Sequence, residues 1–171
     1  MRRIVMLIAL ATVPAISQAW TFDTEKDKMG QGEIKMAHVE STNQVDFDFP
    51  YKGPQKGQLI LRTHPQHGKD VMLQIKKGQF LCRIDGCNVM VRFDEGKPQR
   101  IHANPPSDHS STVIFITGFD RVLAGLRKAK VVRIQAEFYQ EGNQVFEFDV
   151  AGLGDWPKAP GKDVVPKAGK K

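Results

Sequence analysis

Two cysteines sit close together in FLCRIDGCNVMVRFD, residues 80 to 94, and Cys82 and Cys87 are the only thiols in the chain. A redox centre generally uses the tighter C-x-x-C spacing, which lets the resolving thiol reach its neighbour. A four-cysteine zinc site needs more thiols than the chain has. That leaves a disulfide across a hairpin, and two registers are open to it. If Arg83-Ile84-Asp85-Gly86 forms a four-residue loop, Cys82 faces Cys87 and a bridge closes at a Cα separation of about 5.5 Å. If Asp85-Gly86 is a two-residue turn, Cys82 faces Val89 instead. A structural disulfide is the expectation for an oxidising compartment, with a labile switch or free thiols as alternatives.

Histidines supply the next candidates. His64 and His67 in THPQHGKD lie close enough to converge on a cation, with Asp70 nearby on a loop able to wrap one. The three form no specific ligand pattern, and His102 and His109 have nothing near them that repeats the spacing, so no metal and no other cofactor is expected. PPSDHSS brings Asp108, His109, Ser110 and Ser111 together, but triad members converge from separate elements and no G-x-S-x-G is present. Asp and Ser satisfying backbone donors at a turn is the plainer role. No carboxylate sits in an apolar setting that would raise its pKa for glycoside chemistry. In VMVRFD, Arg92 and Asp94 fall on one face of a strand; with Arg62 they either pair in solvent or line a recognition surface. The candidate binding surface is therefore Arg62, His64, His67, Asp70, Arg92, Asp94 and Asp108.

The oxidising compartment is read from the N-terminus. MRRIVMLIALATVPAISQA has two arginines, a short apolar run and a small-x-small site at Ser17-Gln18-Ala19, the pattern of a secretory signal peptide over residues 1–19. The run is too short for the ~20 residues of a membrane span, so export to the periplasm without a retained anchor is expected. Residues 157–171, rich in Pro, Gly and Lys, read as a disordered basic tail. The chain has 25 Lys+Arg and 19 Asp+Glu; setting aside Arg2, Arg3, the tail's lysines and Asp163 leaves 18 of each sign. A neutral body argues against a nucleic-acid groove, which needs clustered cations.

The elements that must position these residues are mostly strands. Period-2 alternation predicts strands at 34–40, 44–49, 58–63, 70–76, 79–84, 87–93, 112–117, 131–140 and 144–150. Gly142-Asn143 is expected to turn the last pair, and residues 98–111 form a loop. Phe119, Val122, Leu123 and Leu126 switch to helical spacing and predict one short helix near residues 119–129. Trp20 to Met29 is either a lead-in strand or a short helix. The predicted fold is a mainly β domain over residues 20–156, an antiparallel β-sandwich or partly open barrel of about eight strands.

LILR (59–62), VRFD (91–94), PSDHSSTVIFI (106–116), FDRVLAGLRKAK (119–130) and FEFDVAGL (146–153) occur in an order that resembles the VasI/TagO group of periplasmic type VI secretion accessory proteins and related exported proteins. That group typically carries a cysteine soon after the arginine matching Arg62, where this chain has Thr63 and His64. The resemblance implies an accessory or binding role and brings no catalytic residues. The expected function is that of an exported, non-enzymatic binding protein acting on an envelope protein partner. Two alternatives are an inhibitor or immunity protein of a cell-wall enzyme, presenting the loop 98–111, and a periplasmic metal-dependent hydrolase using His64, His67 and Asp70.

Overall fold

The computed structural model describes residues 20–158. The expected signal peptide lies outside the described residues, as does the expected tail beyond Lys158. Eleven strands and one helix follow in the order β1 (Thr21–Lys26), β2 (Glu33–Glu40), β3 (Val45–Phe47), β4 (Gly53–Gln55), β5 (Gly57–His64), β6 (Gly68–Ile75), β7 (Cys87–Phe93), β8 (Gln99–Asn104), β9 (Val113–Ile116), α1 (Phe119–Leu126), β10 (Val131–Phe138) and β11 (Gly142–Asp149). Nine strands make one antiparallel sheet in the order β1-β2-β5-β6-β9-β8-β7-β10-β11, and β3 and β4 form a separate ribbon.

The sheet curls without closing. Alternation puts one set of side chains on its concave face, and register aligns them into rows: Val39, Leu59, Leu73 and Ile114 in one, Ala37, Leu61, Val71, Ile116 and Ala103 in another. Opposite them, Val91 faces Ile134, which faces Phe146, and Val132 faces Phe148. All of these are buried. Each valine, leucine, isoleucine and phenylalanine among them contributes roughly 1.5–3 kcal/mol through the apolar area removed from water. Phe138 anchors one end, with ring centroids 4.4 Å from Phe80, 5.2 Å from Phe47 and 5.9 Å from Phe146.

The two sheet edges approach through the segment after β2. Thr42 N–H donates to the Glu147 carbonyl at 2.7 Å, and the Asn43 side chain donates to Val145 O and accepts from Glu147 N–H, each at 2.8 Å. The outer edge of β11 is thereby occupied at Val145 and Glu147, which blunts an otherwise open template. Trp20 adds a second tie, its indole N–H donating to Val150 O at 2.9 Å. Where β5 crosses β11 only glycine fits: a Cβ on Gly57 would lie 2.8 Å from the Phe146 ring and 3.2 Å from its Cβ. Helix α1 covers one end of the curl with Val122, Leu123 and Leu126.

The architecture is the mainly β, open antiparallel arrangement with one short helix that the alternation predicts. Several elements differ from the expectation. Residues 79–84 are not a strand paired with 87–93; Phe80 packs on Phe138, and the neighbouring main chain bonds to β10. Residues 98–111 are not one loop, because Gln99–Asn104 forms β8 with Ile101 and Ala103 inward. The last hairpin turns at Tyr139-Gln140-Glu141, since Gly142 already pairs with Phe138, and Gln140 takes the left-handed conformation (φ 63°). The 44–49 strand stops at Phe47, leaving Phe49 84 % exposed. The lead-in segment is strand β1, and the helix ends at Leu126.

Candidate functional site

The Cys82–Cys87 disulfide is present, with S–S 2.10 Å and Cα–Cα 4.8 Å. The four-residue register holds. Gly86 N–H donates to Arg83 O at 2.8 Å, which places Ile84 and Asp85 at the tip of a β-turn. Gly86 is required twice: its φ is +95°, and a Cβ there would stand 2.2 Å from the His102 ring and 2.9 Å from the Ala103 carbonyl. The turn is thus seated directly against β8. Ile84, at its tip, is 89 % exposed.

Beside this turn the sheet forks. β7 and β10 pair from Phe93↔Val132 to Met90↔Gln135, and the ladder stops there. β10 then changes partner: Leu81 N–H donates to Glu137 O and Tyr139 N–H donates to Gln79 O, both at 2.9 Å. β7 runs on to Cys87 paired with β8 alone. In an antiparallel ladder alternate residues direct their main chain to opposite neighbours. Asp94 N–H donates to Val131 O at 2.8 Å, so Arg92, Met90 and Asn88 face β10. Asn88 lies past the last rung, and its main-chain N–H and C=O point into the fork.

The fork is a cleft of about 460 Å³. Its floor is Phe80, Val89, Ile114 and Ala136, seen between the parted strands, and its rim is Asn88, Met90, Arg100, Gln135, Glu137 and Asn143, with Arg83 on the turn. Parity explains the rim: Val89, Ile101 and Ala136 point inward, so Asn88, Arg100 and Glu137 point outward. Among the described residues neither Arg83 nor Arg100 has a carboxylate within 4 Å. A smaller crevice of about 150 Å³, lined in part by Cys82, Ile84, Pro105 and His109, lies on the other side of the turn.

The binding-surface residues singled out from sequence lie elsewhere, each engaged by a neighbour. Arg62 stands directly across from Asp70, and its Nε and Nη2 donate to Asp70 Oδ2 at 2.9 and 2.6 Å. That guanidinium takes Asp70 away from the histidines. His64 Nδ1 accepts from the Gln66 and His67 main-chain N–H groups at 3.1 and 3.3 Å, and the His64 and His67 rings lie 4.3 Å apart. Among the described residues no three His, Cys, Asp or Glu side chains group to hold a metal ion.

Arg92 and Asp94 do not pair with each other. Arg92 donates to Glu95 and to Gly96 O, and Arg133, directly across from Arg92, reaches Glu95 at 3.4 Å and Glu147 at 2.7 Å. Asp94 Oδ1 accepts the Val131 and Lys130 N–H groups, each at 2.9 Å. These two backbone hydrogen bonds, Val131 first, hold its carboxyl below the usual value of 3.8, with Lys130 and Arg133 charges adding to the effect. Asp108 accepts from Ser110 N–H at 2.9 Å, the local turn role expected of it.

No family model matches the sequence. No curated protein matches it either. Among solved structures, the chain is similar to invasion associated protein B from Bartonella henselae, at 14 % identity and a TM-score of 0.47 over 79 % of this chain and 86 % of that one. Among the described residues no helix is long and apolar enough to cross a membrane.

Proposed function

We propose that the protein is an exported binding module that engages a protein partner in the cell envelope, as an accessory factor and not as a catalyst. The observation that carries this reading is the Cys82–Cys87 turn. A covalent link closes it, Gly86 seats it on β8, and it presents Ile84 almost fully to solvent beside an open cleft. An isolated exposed apolar residue is ordinary. One held at the tip of a cross-linked turn loses little conformational freedom on docking, which lowers the entropic cost of association. The bridge fits an oxidising compartment and agrees with the signal-peptide pattern of residues 1–19. The resemblance of the ordered motifs to the VasI/TagO group supports a place among periplasmic accessory proteins.

The test uses the full chain with a C-terminal tag, produced in its own cell alongside Ile84→Asp. The expected result is recovery of both forms in the periplasmic fraction. A stoichiometric protein is retained from detergent-solubilised envelope by the native chain and lost by the variant. Equal retention by both forms, or no retained protein, overturns the proposal.

A further inference from the structure

We propose, building on the binding reading above, that the fork between β7 and β10 takes an extended segment of the partner bearing an acidic side chain. Three observations converge on that occupant. Asn88 presents a main-chain donor and acceptor past the last β7–β10 rung, and a strand-like segment is the ligand that uses both at once. Glu137 does not complete that rung from the other side, its carbonyl accepting from Leu81 N–H instead.

The second observation is charge. Arg62, Arg92 and Arg133 are each matched by a carboxylate, whereas among the described residues Arg83 and Arg100, on the cleft, are not. A guanidinium offers a planar pair of donors suited to a carboxylate. The third is the floor: Phe80, Val89, Ile114 and Ala136 give an apolar base for the side chain that points inward when its neighbour points out to the arginines. The rim also lacks the aromatic platforms on which sugar rings or bases would stack. A volume of about 460 Å³ accommodates a few residues and lies in the lower half of the range usual for ligand sites.

Three capped, fluorescein-labelled pentapeptides are the probes: Thr-Val-Glu-Val-Thr, its Gln counterpart and its Lys counterpart. Each is titrated into the intact oxidised protein, with amide NMR shifts followed in parallel. The Glu peptide is expected to bind roughly tenfold more tightly than the Gln peptide, to weaken with salt, and to shift Asn88 and Glu137 amides. Arg83→Gln and Arg100→Gln, both exposed and free of ion pairs, should each lower that affinity several-fold at unchanged melting temperature. Equal affinity for the Glu and Lys peptides, or shifts lying away from Asn88, overturns the proposal. The envelope capture is repeated with Arg83→Gln/Arg100→Gln. Undiminished capture overturns the cleft while leaving the binding reading intact, and selective loss of capture supports it. Failure of the native chain to capture any partner overturns the binding reading itself.

Discussion

Removing the disulfide should cost the protein a small, local amount of stability. Cys82 and Cys87 are separated by five positions, so the bridge closes a six-residue loop. In the chain-entropy treatment a loop of that size removes about 7 cal/mol/K from the unfolded ensemble, or about 2 kcal/mol at 25 °C. Both cysteines are partly buried at the core margin, so truncation to alanine adds only lost contact at that margin. The surrounding segment keeps its other ties: Phe80 on Phe138, Leu81 N–H on Glu137 O, and Gly86 N–H on Arg83 O. The Cys82→Ala/Cys87→Ala variant should therefore lose about 2 kcal/mol in urea unfolding followed by circular dichroism. At roughly 4 °C per kcal/mol for a domain of this size, its melting temperature should fall by about 8 °C. Amide shifts should change in residues 79–90 and in β8 and stay fixed in β1, β2 and β5. A loss beyond about 4 kcal/mol, or changes spread over the whole sheet, would refute the view that the bridge fixes the turn and not the fold.

Two further outcomes follow from close packing and from charge. Gly57→Ala should destabilise by about 1–2 kcal/mol, because the strand gain of replacing glycine, ~0.5–1 kcal/mol, is outweighed by overpacking against the fully buried Phe146, where the nearest atoms include the ring carbons and the Cβ and a rotation of the ring relieves only part of the clash. Thermal denaturation showing a higher midpoint would count against that packing. Asp94 has a lowered folded pKa, so its stabilisation is present above the ordinary value of 3.8 and is lost as pH falls below it toward the folded value. Urea midpoints of the native protein and Asp94→Asn, taken from pH 7 down to pH 2, should converge on the acid side; a gap independent of pH would contradict this.

Much of the fold was legible because its rows are built from large β-branched, leucine and phenylalanine side chains at strict alternation. Val132, Ile134, Ala136 and Phe138 and their partners Phe146 and Phe148 are such a case, and the sequence places both strands within a few residues. β8 was hidden because its inward pair is Ile101 and Ala103, too little apolar signal between prolines 98 and 105 to stand out from a loop. Residues 79–84 alternate like a strand, but periodicity does not say which strand a segment will join. Sequence adjacency favours β7, and the contact of Phe80 with Phe138 decides for β10. The same choice concealed the cleft. Its rim residues Asn88 and Glu137 are recoverable from outward parity alone, whereas Arg100 sits on the hidden β8 and the convergence of all three depends on the fork. Arg62, Asp70, Arg92 and Asp94 stand out by type and spacing, yet each is engaged by a partner: Arg62 and Asp70 by one another across their ladder, Arg92 by Glu95, and Asp94 by the main chain at the start of β10.

The position of the disulfide makes better sense as a property of the cleft than of the core. A total stability of ~5–15 kcal/mol does not require a contribution of about 2 kcal/mol from a six-residue loop at the sheet margin, with a core already built around five buried phenylalanines. What the bridge supplies is a fixed third side to the fork. Segment 79–81 and the strand β7 compete for β10, and each takes half of it: β7 up to Gln135, the segment from Glu137 on. Sliding of that boundary by one rung toward β7 would restore the pairing of Asn88 with Glu137 and shut the cleft. Linking Cys82, directly after the segment, to Cys87, the first residue of β7, sets how far the two can move apart and holds the turn bearing Arg83 beside the opening. The Asn88 main chain therefore stays exposed because β10 is shared, and the covalent bridge keeps the division in place. Deleting the bridge should blur the fork before it unfolds the protein, so that probe affinity at Asn88 falls at temperatures where the sheet signal is still intact.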